Sequence, residues 1–279
     1  MKRTWITTGI MLMAAVALGA FIYFKPPARE AAQALSTLRP NDPVKLSIAR
    51  KGKPLIELER KGLHWALTVP YAAPVDLYQV ARALTVLEAK STVSYPAGDL
   101  KKFDLDPPQA VVTIDKLSFA FGAINPVTRE QYVLSGNSVH LIEMRHGAGL
   151  PLDASALLRK QIFGADEVPV RFEFADFSLA AKDGKWTLAP AAELSQDDAL
   201  RWVDGWRQAT AMHAAHVVPQ DQRKPLGEIR VEFKDGKKLA FGILSRETEL
   251  VLLRPDLNLQ YAFAGEVGKR MLAPPSTAK

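Results

Sequence analysis

Hydrophobic and polar residues alternate along much of the chain after residue 44, as they do in half-buried β-strands. The stretches 44–48 and 55–59 show this period of two. Extended apolar stretches recur at 111–114, 117–121, 131–134, 139–142, 229–233, 239–243, 250–253 and 259–263. Turn residues such as Gly136-Asn137 and Asp235-Gly236 separate several of them, so the pattern predicts meanders of antiparallel strands.

Two segments show the spacing of an amphipathic helix instead. The first opens near Pro74, a residue suited to a first helical turn. The second opens at Ser195, which can form a capping box with Asp198. The predicted buried faces are Leu77, Val80, Ala81, Leu84 and Leu87 in the first helix, and Ala199, Trp202, Val203, Trp206 and Ala209 in the second. A short connecting helix is also predicted at 157–163.

The same order of elements occurs twice, at an offset of about 120 residues. The residues that mark the repeat are Gly62, Trp65, Pro70, Phe121 and Gly122 in the first copy, and Gly184, Trp186, Pro190, Phe241 and Gly242 in the second. We interpret them as structural landmarks. The repetition predicts an α+β fold of two tandem duplicated modules, each a mainly antiparallel β-sheet packed by one helix.

The N-terminal region has the features of a membrane anchor. Two basic residues precede an uncharged, mostly apolar run at 5–24, which as a helix is about 30 Å long, the thickness of the hydrocarbon core. Trp5 and Tyr23 lie near its ends, where aromatic rings favour the headgroup level. The run predicts an uncleaved, single-pass signal-anchor in the inner membrane, with the rest of the chain periplasmic. A cleaved signal peptide ending at Ala17-Leu18-Gly19 is the alternative.

These patterns predict seven successive regions. They are a cytoplasmic N-terminus (1–4), the transmembrane signal-anchor (5–24), a spacer (25–43), a first α+β repeat (44–144), a linker with a short helix (145–169), a second α+β repeat (170–264) and a C-terminal tail (265–279).

Composition and charge exclude several classes of function. The chain has no cysteine, which excludes disulfides, thiolate metal sites, iron–sulfur clusters and cysteine nucleophiles. Half of the net charge of +6 belongs to the first thirty residues, and the remaining basic residues form short clusters at predicted turns. No basic stripe suited to nucleic acid is present in the sequence.

Candidate catalytic and metal-binding residues are few. His213 and His216 have the i, i+3 spacing that could present two imidazoles on a helix, but no third ligand is close in sequence. Asp104 and Asp106 could chelate a cation or form an acid–base pair, although acidic residues beside Pro107-Pro108 are typical of a turn. We predict no catalytic residues, no cofactor and no metal, and therefore no enzyme.

The landmarks also resemble a known family. The stretch Gly-x-x-Trp-x-Leu-x-x-Pro at 62–70, Phe-Asp-Leu-Asp-Pro-Pro at 103–108 and Leu-Ser-Phe-Ala-Phe-Gly at 117–122, followed by Asn125-Pro126, resemble a bacterial family catalogued as domain of unknown function 4340. The similarity covers roughly residues 45–265. It implies a membrane-tethered extracytoplasmic protein associated with ABC transporter components of the gliding-motility type. Pro225-Leu226-Gly227 replaces the Asp-Pro-Pro sequence in the second copy.

The function expected from the sequence is that of a non-enzymatic, membrane-anchored periplasmic accessory or scaffold protein. Its partners would be the inner membrane, through residues 5–24, and a permease or auxiliary subunit of an ABC transporter, bound at sheet edges or in the groove between the repeats. The alternative is a periplasmic ligand-binding protein or envelope hydrolase whose site lies between the repeats and uses Asp104, Asp106 or His140.

Overall fold

The computed structural model describes Met13, residues 32–218 and residues 223–275. Within these residues the chain forms three β-sheets, in which all recorded strand pairs are antiparallel, and four α-helices. This composition confirms the predicted α+β class.

The first sheet has nine strands in the order β5-β4-β3-β2-β8-β9-β10-β11-β7. Their bounds are Lys45–Arg50 (β2), Ile56–Lys61 (β3), His64–Val69 (β4), Ala73–Pro74 (β5), Ser94–Pro96 (β7), Ala110–Ile114 (β8), Leu117–Ile124 (β9), Glu130–Ser135 (β10) and Ser138–Glu143 (β11). A separate pair joins Gln33–Ala34 (β1) to Lys90–Ser91 (β6).

The second sheet has eight strands in the order β14-β13-β12-β16-β17-β18-β19-β15. Their bounds are Pro169–Glu173 (β12), Ser178–Lys182 (β13), Lys185–Ala189 (β14), His213–His216 (β15), Gly227–Phe233 (β16), Lys238–Ser245 (β17), Glu249–Arg254 (β18) and Leu259–Ala264 (β19). Strand by strand, this succession matches the first sheet without its edge strand β5.

The four helices are Leu77–Leu84 (α1), Arg145–Ala148 (α2), Gln196–Gln208 (α3) and Gly265–Leu272 (α4). Short 3₁₀ turns occur at Thr85–Glu88, Leu100–Phe103 and Ala154–Leu157. Side-chain caps fix two of the helix starts: the carboxylate of Asp76 accepts from the Tyr78 amide, and the hydroxyl of Ser195 accepts from the Asp198 amide.

The two sheets share one hydrophobic core. Alternating residues of each sheet point inward, for example Leu46 and Ile48 on β2 and Tyr261 and Phe263 on β19, all at most 1% exposed. A single cluster of contacting buried residues runs through both sheets, the helices and the segment between them. Burial of this continuous apolar surface is the main term that stabilises the fold.

The segment 154–163 joins the two halves, because it forms backbone hydrogen bonds with each of them. On one side the Asp76 amide donates to the Leu157 carbonyl at 2.8 Å and the Arg159 amide donates to the Pro74 carbonyl at 3.1 Å. On the other side the Ala211 amide donates to the Lys160 carbonyl at 3.0 Å. The predicted helix over 157–163 is therefore wrong: helical structure ends at Leu157, and the following backbone bridges the two halves.

Three other helix predictions need correction. Pro74 pairs with Ala66 in a strand, because the Asp76 cap delays the start of α1 to Leu77. The chain leaves α-helical geometry after Leu84, and Leu77 is 55% exposed. The His213–His216 segment, expected where the second helix ends, is an edge strand that pairs with β19.

Parts of the predicted spacer and tail are also structured. Within 25–43, β1 pairs with β6, and Leu35 and Leu38 pack against the core. Within 265–279, residues 265–272 form α4, whose Met271 is buried. The predicted linker includes α2, which carries the buried His146.

The predicted transmembrane segment 5–24 lies outside the described residues except for Met13. Of the helices that the structure describes, none has the length and apolar character needed to cross a membrane.

Candidate functional site

The repeat landmarks occupy matching places in the two sheets. Gly62 and Gly184 form the turns that precede β4 and β14, at φ of +63° and +78°, a region that favours glycine. The peptide bonds before Pro70 and Pro190 are both cis. Trp65 and Trp186 are half-buried and pack against the core.

Phe121 and Phe241 are almost fully buried, and the glycine after each one allows a close approach of the chain. A Cβ at Gly122 would overlap the carbonyl oxygen of Phe103, and a Cβ at Gly242 would lie 2.9 Å from the Cγ of Pro225. The landmarks therefore have positions suited to shaping the fold rather than to reacting with a substrate.

A groove lies between α3 and α4. We call it the α3–α4 groove; its volume is about 660 Å³, within the range typical of small-molecule sites. It is lined by Asp198, Arg201, Trp202, Gly205, Trp206, Gln208, Ala209, Thr210, Val267, Arg270, Met271, Ala273, Pro274 and Pro275.

Two tryptophans of α3 tie the groove to the C-terminal helix. The indole nitrogen of Trp206 donates to the Met271 carbonyl at 3.0 Å, and that of Trp202 donates to the Ala273 carbonyl at 2.8 Å. Their rings extend an aromatic cluster that includes Phe172, whose centroid is 4.9 Å from Trp202 and 5.3 Å from Trp206. Aromatic packing and hydrogen bonding together give the groove a fixed wall.

Gly205 lines the groove without contributing a side chain. Outside its own helix and immediate neighbours, no heavy atom lies within 4 Å of the position that a Cβ would occupy there. On the rim, Arg201 is paired with Asp198, whereas Arg270 forms no ion pair with another described residue. The groove thus combines an apolar interior with an excess of positive charge at its edge.

A second feature of this half is a buried ion network around Arg254. This side chain is 3% exposed; it donates to Glu167 at 2.5 and 2.8 Å, to Asp256 at 3.0 and 3.1 Å, and to the Ile162 carbonyl at 2.6 Å. Lys237 adds a contact of 3.0 Å to Glu167. Burial alone would raise the pKa of Glu167, but hydrogen bonds from Arg254, Gly164 and Lys237 outweigh it and lower that pKa to about 2.

This network could not be identified from the sequence, because its members are distant in sequence and each resembles an ordinary surface charge. The signal that was available is Arg254 itself, which ends a strand with buried Leu250, Val251 and Leu252. Because an unpaired buried charge is costly, a charged residue on such a strand is expected to have a buried partner of opposite charge.

The candidates that the sequence proposed do not come together. Asp104 lies in the loop before β8 and accepts a hydrogen bond from Gln109 at 2.7 Å. His140 lies on β11, opposite Val133 of β10, and its Nδ1 is buried without a hydrogen-bond partner. Neither Asp104, Asp106 nor His140 lines the α3–α4 groove.

The two histidines that could have bound a metal ion, His213 and His216, lie on a β-strand rather than on a helix. In a strand, residues i and i+3 point to opposite faces, so His213 and His216 cannot present two imidazoles to one ion. His216 instead stacks on Tyr71 of the first half, with ring centroids 4.0 Å apart. Within residues 32–218 and 223–275, no group of three or more His, Asp or Glu side chains could hold a metal ion.

One free sheet edge carries a side-chain cap. The carboxamide of Gln196 accepts from the Trp186 amide at 2.7 Å and donates to the Trp186 carbonyl at 2.9 Å, at the outer side of β14. Both backbone groups that a partner strand would use at this residue are occupied. This edge is therefore a poorer binding surface than the α3–α4 groove.

Comparison with known proteins identifies a family. No curated protein and no solved structure matches the chain. The profile of a family described as domain of unknown function (DUF4340) matches residues 65–227, from the Trp65 strand of the first sheet to the start of β16. The match spans more than half of the sequence and includes both tryptophan strands. The chain therefore belongs to the domain of unknown function 4340 family.

Proposed function

We propose that this protein is a membrane-tethered periplasmic accessory protein, without enzymatic activity, that holds a component of an ABC-type transport system. Residues 5–24 would be the tether, and the described body would be the binding part. The observation that carries the proposal is the α3–α4 groove, a preformed concave surface with an aromatic wall.

The lining of the groove indicates the chemistry of the partner segment. Trp202, Trp206, Val267 and Met271 offer apolar contacts to a large hydrophobic side chain. Arg270 on the rim complements a carboxylate next to it. A segment of the partner with an apolar anchor followed by an acidic residue fits both features.

The construction of the body supports a scaffold role. The segment 154–163 is hydrogen-bonded to both halves, and one core runs through both sheets, so the two halves are joined as one unit. The matched strand orders and the paired landmarks favour an origin by internal duplication. A duplicated, firmly joined body can present a binding surface at a fixed orientation to its tether.

The test is co-purification of the full-length protein, in mild detergent, through a C-terminal tag. Mass spectrometry should identify an ABC permease or ATPase with the wild-type protein. The Gly205→Leu variant adds a large side chain to the lining of the groove, and helices accept leucine well, so binding should be lost while folding is kept.

The matched control is Ala81→Leu, a similar change at an exposed position of α1 in the other half. It should retain the partner at the wild-type level. Absence of any ABC component from the wild-type sample would overturn the accessory role. Equal recovery with Gly205→Leu would place the interface elsewhere.

A further inference from the structure

A second pocket lies where the connecting segment meets the end of α3. Its volume is about 370 Å³, and it is lined by Arg159, Gln161, Phe163, Gly164, Ala165, Asp204, Arg207 and Gln208. Two guanidinium groups, two carboxamides and the carboxylate of Asp204 thus border one small cavity. The guanidinium and carboxamide groups are hydrogen-bond donors that proteins use for oxyanions.

Arg159 is the central group of this pocket. It is half-buried, and its recorded hydrogen bond is one long contact of 3.4 Å from Nε to the Gln161 carbonyl. No carboxylate of the described residues lies within 4.0 Å of its nitrogens. A guanidinium has five N–H donors, so most of its capacity is available. Burial lowers the pKa of Arg159 and the charge of Arg254 adds to this lowering, whereas the negative charge of Glu167 opposes it.

The surrounding charges leave Arg159 uncompensated. In the adjacent network, Arg254 and Lys237 are balanced by Glu167 and Asp256. Arg207 is balanced by Asp204, although their 3.6 Å contact is long and both side chains are well exposed. One positive charge therefore remains, on the side chain that borders the cavity.

We propose that this pocket binds a small oxyanion, a phosphate or carboxylate group, with Arg159 as the main ligand and Arg207 as the second. The planar guanidinium of Arg159 can donate two parallel hydrogen bonds to such a group, and its remaining charge is then neutralised. Arg207 can turn from its weak contact with Asp204 to donate from the other side. The anion would sit against the segment that joins the two halves, beside the α3–α4 groove, with which the pocket shares Gln208.

The experiment is isothermal titration of the full-length protein, in mild detergent, with inorganic phosphate, acetate and glycerol 3-phosphate. Sodium chloride at matched ionic strength controls for general screening. At least one of the three oxyanions should bind saturably while chloride does not. Strongest binding by glycerol 3-phosphate would identify a phosphate ester as the ligand, and strongest binding by inorganic phosphate or by acetate would identify the free anion.

Two substitutions test the assigned residues. Arg159→Gln and Arg207→Gln should each weaken the binding by about tenfold or more, the loss expected for a charge-assisted hydrogen bond. Arg171→Gln, an exposed arginine of β12 that lies outside the pocket and outside the α3–α4 groove, should leave the binding unchanged. The Arg207 variant keeps the test decisive if Arg159→Gln fails to fold, because Arg207 is exposed.

Two results would overturn the proposal. One is the absence of saturable binding by any of the three oxyanions. The other is binding that is the same in the wild type, in Arg207→Gln and in folded Arg159→Gln protein, since the anion would then lie at another place.

Discussion

The two halves of the molecule have the same succession of strands but differ in what surrounds them. Helix α1 has 8 residues and α2 has 4, whereas their counterparts α3 and α4 have 13 and 8. The longer helices form the α3–α4 groove. The Arg254 network, whose central residue ends β18 of the second sheet, belongs to the second half. The comparison teaches that the two sheets share a common strand order, while the longer helices and the buried charges of the second half supply the candidate sites.

The largest expected effect concerns the buried charges of the second half. Glu167→Gln removes the carboxylate that faces Arg254, so a buried guanidinium loses its main partner. We expect the free energy of unfolding to fall by about 3 kcal/mol. Thermal unfolding followed by circular dichroism measures this change.

The first half supplies the control for that substitution. Lys45 and Glu59 form an exposed pair at 3.1 Å, and Glu59→Gln should cost less than about 1 kcal/mol. Equal effects of the two substitutions would mean that burial does not distinguish the two ion pairs.

The next largest effect concerns Gly122 and Gly242, the two glycines at matching positions of the two sheets. In Gly122→Ala the new methyl group overlaps a backbone oxygen, so the loop that carries Phe103 has to move. We expect a loss of about 2 kcal/mol. In Gly242→Ala the nearest atom belongs to the ring of Pro225, at 2.9 Å, and the loss should be about 1 kcal/mol. The ratio of the two losses, from thermal unfolding, is the measurement; a larger loss at Gly242 would contradict the prediction.

The halves should also respond to acid at different pH. Burial lowers the pKa of His140 and of His146, both in or next to the first sheet, and the charge of Arg145 adds to the effect at His146. A histidine whose pKa is lower in the folded state stabilises the protein above its ordinary pKa of about 6.5 and loses this contribution as the pH falls. Glu167, with a folded pKa of about 2 against an ordinary 4.5, loses its contribution only between about pH 4.5 and 2.

Melting temperatures between pH 7.5 and 5 test this order. The wild-type value should fall across this range, and His146→Gln should reduce the slope. Glu167→Gln should leave that slope unchanged and flatten the fall below about pH 4.5. A histidine variant with the wild-type slope would assign the pH dependence to other groups.

The smallest effect concerns one helix position in each half. Gly205→Ala should raise the free energy of unfolding by about 1 kcal/mol, because alanine stabilises a helix interior and open space surrounds this position. Ala81→Gly, at an exposed position of α1, should lower it by a similar amount. If Gly205→Ala lowers the stability, the groove is narrower than described here.

Much of the sheet framework could be predicted from the sequence. The alternation at 44–48 and 55–59 located β2 and β3 within two residues at each end, because each strand buries one face and the period of two is then obligatory. The Ser195 cap was also predicted correctly, since the side chain and the amide that it binds are three residues apart. Local signals of this kind are contained in a short window.

Features that depend on tertiary contacts could not be predicted in the same way. The 213–216 segment has no alternation of its own, and its pairing with β19 makes it a strand. The segment 157–163 resembles a helix, but bonds to Pro74 and Ala211 hold it extended. The α3–α4 groove requires residues from two helices that are about sixty positions apart, and no pattern along the chain connects them.

The cap on β14 has a consequence for how copies of this protein coexist. An uncovered strand edge allows neighbouring molecules to add their own strands and to grow into aggregates, most readily where many copies are crowded together. By occupying both hydrogen-bonding groups of Trp186, the side chain of Gln196 blocks the addition of a strand at that residue. A single carboxamide thus makes this edge less suited to aggregation.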